Sequence, residues 1–170
     1  MLKVTIFTFL LFTISACFNS KLRVKKYNSD CVSFNYYSSW KITSDTHDED
    51  ENHFISLVPK DATSKNKIDI EYFTFTVDFP DYYKENIIYL HKNEDFKEIS
   101  PKPIKHTKIG RFNCDLLEVG YVEFGLQKTF QLYAFDVDDF SVCILVHFDN
   151  STENQFKKEI KFLAKKLEFY

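Results

Sequence analysis

The sequence predicts an α+β fold in which an antiparallel sheet is covered by helices on both faces, a three-layer α/β/α arrangement. Three observations lead there. Between residues 31 and 148 the chain runs as short β-branched and aromatic segments separated by Gly, Pro, Asn, Asp and Ser. Those segments are apolar at both parities, so their sheet needs cover on both sides, where a sheet with one wet face would alternate. Two amphipathic stretches, 81–94 and 152–167, are available to supply the cover.

Each element has its own local reason. Residues 31–37 open the fold, 40–43 follow after the Ser38-Ser39 break, and 53–58 end at Pro59. Residues 67–77 form a long run ending near Pro80, and 112–119, 126–137 and 140–148 are set apart by Gly120, Gly125 and Asp138-Asp139. In 67–77, Ile68, Ile70 and Tyr72 share one face while Phe73, Phe75 and Val77 share the other. In 140–148, Val142, Ile144, Val146 and Phe148 oppose Cys143 and Leu145. The first helix places Tyr83, Ile87 and Leu90 on one side, with Pro80 at its start. In the second, Phe156, Ile160, Leu163 and Leu167 recur at helical spacing, and Lys157, Lys158, Lys161 and Lys165 fill the wet side. Thr152 with Gln155 three residues on reads as a capping box, and Glu153 suits the positive end of the helix.

Ahead of this domain stands an apolar run with a different purpose. Lys3 supplies a basic start, residues 4–14 are almost unbroken apolar sequence, and Ile14-Ser15-Ala16-Cys17 closes the segment. An aliphatic residue, two small residues and a cysteine resemble a bacterial lipobox. That resemblance implies cleavage between Ala16 and Cys17, acylation of Cys17, and membrane attachment outside the cytoplasm. The run is too short for a transmembrane helix, which needs about 20 apolar residues. A plain secretory signal would not need a cysteine directly after Ala16. Residues 1–16 are thus assigned as signal peptide, 17–30 as lipidated cysteine and basic tether, and 31–170 as a single domain. Phe18 in place of an aspartate points, by resemblance to enterobacterial lipoproteins, to the outer membrane in a cell that has one.

Composition narrows the function classes. Loss of residues 1–16 removes Lys3 and moves the net charge from −3 to −4. So small and mixed a charge gives no basis for nucleic-acid binding. Three glycines, four prolines and 18% aromatic residues describe a packed globule. The tether carries Lys21, Arg23, Lys25 and Lys26, each able to add about 1 kcal/mol of headgroup attraction at most. That is minor beside acyl chains at about 0.8 kcal/mol per buried CH₂, so a solvated tether is expected.

The first strand ends in the aromatic pair Tyr36-Tyr37, followed by Ser38-Ser39 and then Trp40-Lys41-Ile42. This opening is similar to that of Mog1/PsbP-like domains, with Ser38-Ser39-Trp40 standing where those domains often carry Pro-Gly-Trp. The order of early strands, a middle helix, more strands and a late helix with the aromatic tail Leu167-Glu168-Phe169-Tyr170 also agrees. The resemblance spans about residues 31–170. It implies a binding or assembly scaffold and carries over no catalytic residue.

The chain carries no Gly-rich phosphate loop, no Gly-x-Ser-x-Gly elbow and no His-Glu-x-x-His. Residues 47–53 gather His47, His53 and four carboxylates, but no Gly serves the turn of a calcium loop and the acids are consecutive, so a solvated hairpin loop is expected. Cys31, Cys114 and Cys143 sit in apolar strand contexts; one bridge or three buried thiols both satisfy the sequence. Cys143 and His147 share a strand face but lie about 13 Å apart by rise, beyond the reach of a nucleophile and its base. No catalytic residue, cofactor or metal site is assigned, and no enzymatic activity is expected. Tyr36, Tyr37 and Trp40 form the candidate interaction surface, with Tyr82, Tyr83, Tyr121 and Tyr133 as further candidates for exposed rings. The expected function is a membrane-anchored envelope lipoprotein, attached through Cys17, that binds or assembles with another envelope protein. The alternative is a small-ligand-binding or hydrolytic protein with its site between sheet and helix.

Overall fold

A computed structural model describes residues 23–47, 52–61 and 65–170. In chain order these form β1 (Val24–Asn28), β2 (Val32–Tyr37), β3 (Trp40–His47), β4 (Asn52–Pro59), β5 (Lys67–Phe73), α1 (Phe79–Lys92), β6 (Phe96–Pro101) and β7 (Lys105–Ile109). There follow β8 (Phe112–Glu123), β9 (Leu126–Val137), β10 (Phe140–Asp149), α2 (Glu153–Lys165) and β11 (Glu168–Phe169). The main sheet runs β3-β4-β5-β10-β9-β8-β6, and β7 pairs with the first half of β8. A smaller sheet, β1-β2-β11, ties residues 32–33 to residues 168–169.

The double-sided apolar pattern does what its parity requires. Val142, Ile144, Val146 and Phe148 point into one core with Ile55, Ile70, Phe34 and the α2 residues Phe156, Ile160 and Leu163. Cys143 and Leu145 point into a second core with Phe130, Leu132, Tyr83 and Leu90 of α1. Ile87 is only half-buried at the rim of that second core.

The covering layers differ from the three-layer α/β/α arrangement that the sequence suggests. The described residues are mostly sheet, 57% strand against 21% helix. On one face the cover is α2 together with the β1-β2-β11 sheet. On the other, α1 packs over β5, β8, β9 and β10, and no side chain of β3 or β4 joins its core. The physical reason is length: helices of 14 and 13 residues span only about 20 Å each, too little to roof an eight-stranded sheet.

Three local expectations also change. Residues 24–28 are strand β1 and belong to the fold, so the stretch assigned as tether overruns the domain boundary. Strands β6 and β7 arise in the polar stretch 96–109, where hydrophobic periodicity is weak and pairing with β8 decides the conformation. The Thr152–Gln155 capping box does not form. Thr152 Oγ1 donates to the Asp149 carbonyl at 2.9 Å, and Gln155 Nε2 reaches Glu159 at 3.1 Å. The first helix is capped instead by Asp78, whose carboxylate accepts from the Asp81 amide at 3.3 Å. Among the described residues, no helix is long and apolar enough to cross a membrane.

Candidate interaction surface

The Ser38-Ser39 break is a tight turn between β2 and β3, held at both ends by the backbone. Ser38 N donates to the Arg23 carbonyl at 2.6 Å, and Lys60 N donates to that of Ser39 at 2.8 Å. The turn throws Trp40 under α2, where it is 3% exposed. Its indole Nε1 donates to Glu159 Oε2 at 3.0 Å and its ring lies 5.4 Å from that of Phe156. Trp40 is therefore a core anchor with no face for a partner. Tyr37 stacks on Phe162 of α2 at 4.4 Å between centroids and 11° between planes. Tyr36 tilts against Phe34 at 6.1 Å, and both tyrosines are half-buried. The three residues proposed as one surface are thus spread over the seam between β2, β3 and α2.

The other tyrosines are held inward as well. Tyr82 donates to Glu71, and burial pushes its phenol far above the ordinary range. Tyr83 is buried, with its hydroxyl lacking a hydrogen-bond partner. Tyr121 is 2% exposed and bonds His147 Nδ1 at 3.1 Å, while Tyr133 donates to Gln131 at 2.9 Å. The exposed large apolar side chains lie elsewhere: Tyr89 on the outer side of α1, and Phe75, Phe124, Leu126 and Tyr170 at strand ends and turns. Phe124-Gly125 forms the tip of the β8–β9 hairpin, with φ of 51° and 79°. A hairpin tip is the one place in two paired strands where side chains meet no neighbouring strand. The Gly125 signal locates that tip in the sequence.

Beside Trp40 a cavity of about 360 Å³ opens among Ser39, Asp61, Asn66, Thr152, Gln155 and Glu159. A second, of about 540 Å³, shares Asp61, Asn66 and Thr152 with it and continues to Lys65, Glu123, Phe124, Leu126 and Lys128. Asn66 forms the wall between them, donating to Thr152 Oγ1 at 3.2 Å and accepting from Asp149 N at 2.9 Å. Glu123 sits between Lys128 at 2.5 Å and Lys65 at 3.2 Å. Burial alone would raise its carboxyl, but the hydrogen bonds and charges of the two lysines outweigh that and hold it below the usual carboxylate range. Lys65 also caps the Phe124 ring at 3.7 Å. The Ser39 hydroxyl is buried in the first cavity wall and has no hydrogen-bond partner.

The remaining sequence candidates are placed as follows. Cys17 and the cleavage position Ala16 lie outside the described residues, as do residues 48–51 of the acidic loop. His47 and His53, at its two ends, pack ring to ring at 4.0 Å, and His53 stacks on Tyr72. Among the described residues no three His, Cys, Asp or Glu side chains converge as a metal set would. Cys31, Cys114 and Cys143 are free thiols. Cys114 and Cys143 belong to opposite cores, so the sheet separates them. Burial pushes Cys114 up to about 11 and Cys143 higher still, which leaves both unreactive as nucleophiles.

No protein-family model matches the chain, and no curated protein sequence matches it either. Solved structures do resemble it. The solution structure of cyanobacterial PsbP (CyanoP) from Synechocystis sp. PCC 6803 superposes with a TM-score of 0.62 at 8% identity, covering 86% of this chain and 92% of that one. A crystal structure from Bacteroides thetaiotaomicron VPI-5482 gives a TM-score of 0.56 at 21% identity, over 86% of this chain and 48% of the other. A third is LpqN, described as involved in cell envelope biogenesis of Mycobacterium tuberculosis, with a TM-score of 0.52 at 9% identity over 88% and 91% of the two chains. At these identities the likeness is one of fold: the domain is PsbP-like.

Proposed function

We propose that this protein is an extracytoplasmic lipoprotein, anchored through acyl chains on Cys17, that binds another envelope protein and serves assembly at the membrane surface. The observation that carries the reading is the Ile14-Ser15-Ala16-Cys17 motif lying only six residues ahead of Arg23, where the described fold begins. A chain that short reaches about 20 Å, so the domain is held against the bilayer that the anchor occupies. The PsbP-like fold and the envelope role printed for LpqN support a scaffold over an enzyme. The docking residues in this reading are Phe124 and Leu126 at the β8–β9 tip, in place of Tyr36, Tyr37 and Trp40. Crosslinking of the full-length protein in its own membranes, followed by mass spectrometry, tests it. One stoichiometric partner lost in a Phe124→Ser, Leu126→Ser variant supports the reading, and no partner above background overturns it.

A second reading draws on the paired cavities beside Trp40. Together they offer a concave, partly apolar space of a size that takes small ligands, with Asn66, Lys128 and the unpaired Ser39 hydroxyl as polar points. Native mass spectrometry of protein purified without added ligand distinguishes it: a bound small molecule, displaced in a Leu126→Trp variant, would make this a carrier.

A further inference from the structure

The wet side of α2 is more than a solvated face. At about 100° per residue, Lys157, Lys161, Lys165 and Lys158 occupy one continuous arc, opposite the buried Phe156, Ile160 and Leu163. The nearest acid on that helix, Glu153, is paired with Lys157 at 2.5 Å, and Glu159 is turned inward to Trp40. Among the described residues, Lys158, Lys161 and Lys165 have no ion-pair partner.

Two neighbouring elements extend this arc. On one flank Tyr37 stacks on Phe162, and β1 runs beside β2 with Val24 opposite Tyr37. Cross-strand partners share a face, so Val24, and with it Lys26, lies on the α2 side of the small sheet. Val24 is 52% exposed there and Lys26 is exposed beside it. On the other flank a cleft of about 300 Å³ separates α2 from β7. Its rim carries Lys108, Lys157 and Lys161, and its lining mixes the apolar Ile109, Phe148 and Ile160 with Glu118, a carboxylate already paired with Lys102 and accepting from Gln131. A chain with a net charge of −3 thus concentrates unpaired lysines on one side. Asp78, Asp81, Glu85, Glu94 and Asp95 lie around and after α1, across the sheet, while exposed Glu168, opposite Ser33 in the small sheet, is an acid on the lysine side.

We propose that the α2 face, from Lys26 across Lys158, Lys161 and Lys165 to the Lys108 cleft, docks the domain flat on an anionic lipid surface, with a phospholipid headgroup seated in the cleft. Charge complementarity selects the occupant: a lysine arc with an exposed valine at its edge suits phosphate headgroups above acyl chains. The position of the chain ends agrees, because Arg23 bonds the turn after Tyr37 and the segment to Cys17 leaves from this same seam. The inference rests on the membrane-surface reading above, and adds which face meets the bilayer and which lipid it selects.

The test reconstitutes the full-length protein into vesicles of phosphatidylcholine alone, or with about a third phosphatidylglycerol, and maps lysine acylation by mass spectrometry. Flotation with the neutral vesicles reports the anchor, and the labelling map reports the face. Labelling of Lys158, Lys161 and Lys165 should fall by about threefold or more on anionic vesicles only, and recover in high salt as screening weakens the contact. Lys26 and Lys108 should be protected in the same way, and replacing Lys157, Lys158, Lys161 and Lys165 by Gln should abolish that protection of Lys26 and Lys108 while circular dichroism stays unchanged. Equal labelling on both vesicle types, with the protein floating on both, overturns the docking proposal and leaves the anchor standing. Loss of flotation on neutral vesicles, with protection retained on anionic ones, overturns the anchor and leaves the docking face standing. Protection on neutral vesicles to the same extent would mean contact without charge selection, and overturns the proposal too.

Discussion

At the scale of single residues, the most informative contacts are those that tie a side chain of one layer to the backbone or charge of another. Trp40 donates its indole proton to Glu159, so Trp40→Phe strands a buried carboxylate oxygen. The expected loss is about 1–3 kcal/mol in urea denaturation, and Trp40→Phe with Glu159→Leu should recover part of it by removing both polar partners. Gly110 holds φ at 59° in the β7–β8 turn, and a Cβ there would overlap the carbonyl of Ala164 at the end of α2. Gly110→Ala should therefore cost about 2 kcal/mol or more, because both the backbone and the close approach are violated. His147 is enclosed by Tyr121 and Phe130. Burial first, then the charges of Lys67 and Lys128, pull its imidazole from 6.5 down to about 4, with Glu123 opposing. The unfolded chain binds the extra proton between those values, so stability is full above pH 6.5 and falls as pH drops toward 4. The residue is not fully buried, so about 2 kcal/mol is at stake. A His147→Gln variant should show a shallower acid slope of Tm, and an unchanged slope would refute the assignment.

At the scale of elements, the helices are set by different means. The first has a side-chain cap, and Asp78→Ala should cost about 1 kcal/mol in chemical denaturation. The second has none and relies on packing: Phe156, Ile160 and Leu163 in the core, and the Tyr37–Phe162 stack at its edge. A double-mutant cycle on Tyr37 and Phe162 should return a coupling of about 0.5–1.5 kcal/mol. A value near zero would mean that the rings touch without holding the seam between helix and small sheet. The amphipathic pattern of α2 was legible from its sequence spacing, but its N-terminus was not. Thr152 is drawn to the carbonyl of Asp149, three residues earlier, and to Asn66, which the β5–β10 pairing brings near.

At the scale of the whole molecule, function follows from which sides remain open. Each sheet face carries a cover, though α1 does not reach β3 and β4, and the surfaces open to partners include the outer arc of α2, the β8–β9 tip and the cavities at the Trp40 end. The chain closes on itself through β2 and β11, with Tyr170 N bonded to the Cys31 carbonyl at 3.0 Å. Such pairing between the two ends of a domain is slow to form, so folding in the range of milliseconds to seconds is expected.

The sequence by itself determined the elements whose signals are local. The strands read at 67–77, 112–119, 126–137 and 140–148 follow from β-branched and aromatic runs, the first ending four residues earlier in the fold, at Phe73, and the lysine arc of α2 follows from helical spacing. The PsbP-like fold was legible in the order of those elements. What only the tertiary structure decided depends on partners distant in the chain. Residues 24–28, 96–101 and 105–109 carry no strong pattern and become strands because β2 and β8 offer them open edges. Trp40 is buried because Glu159, 119 positions away, accepts its proton. Exposure of an aromatic ring depends on the layers stacked above it, and periodicity along one strand holds no record of those layers.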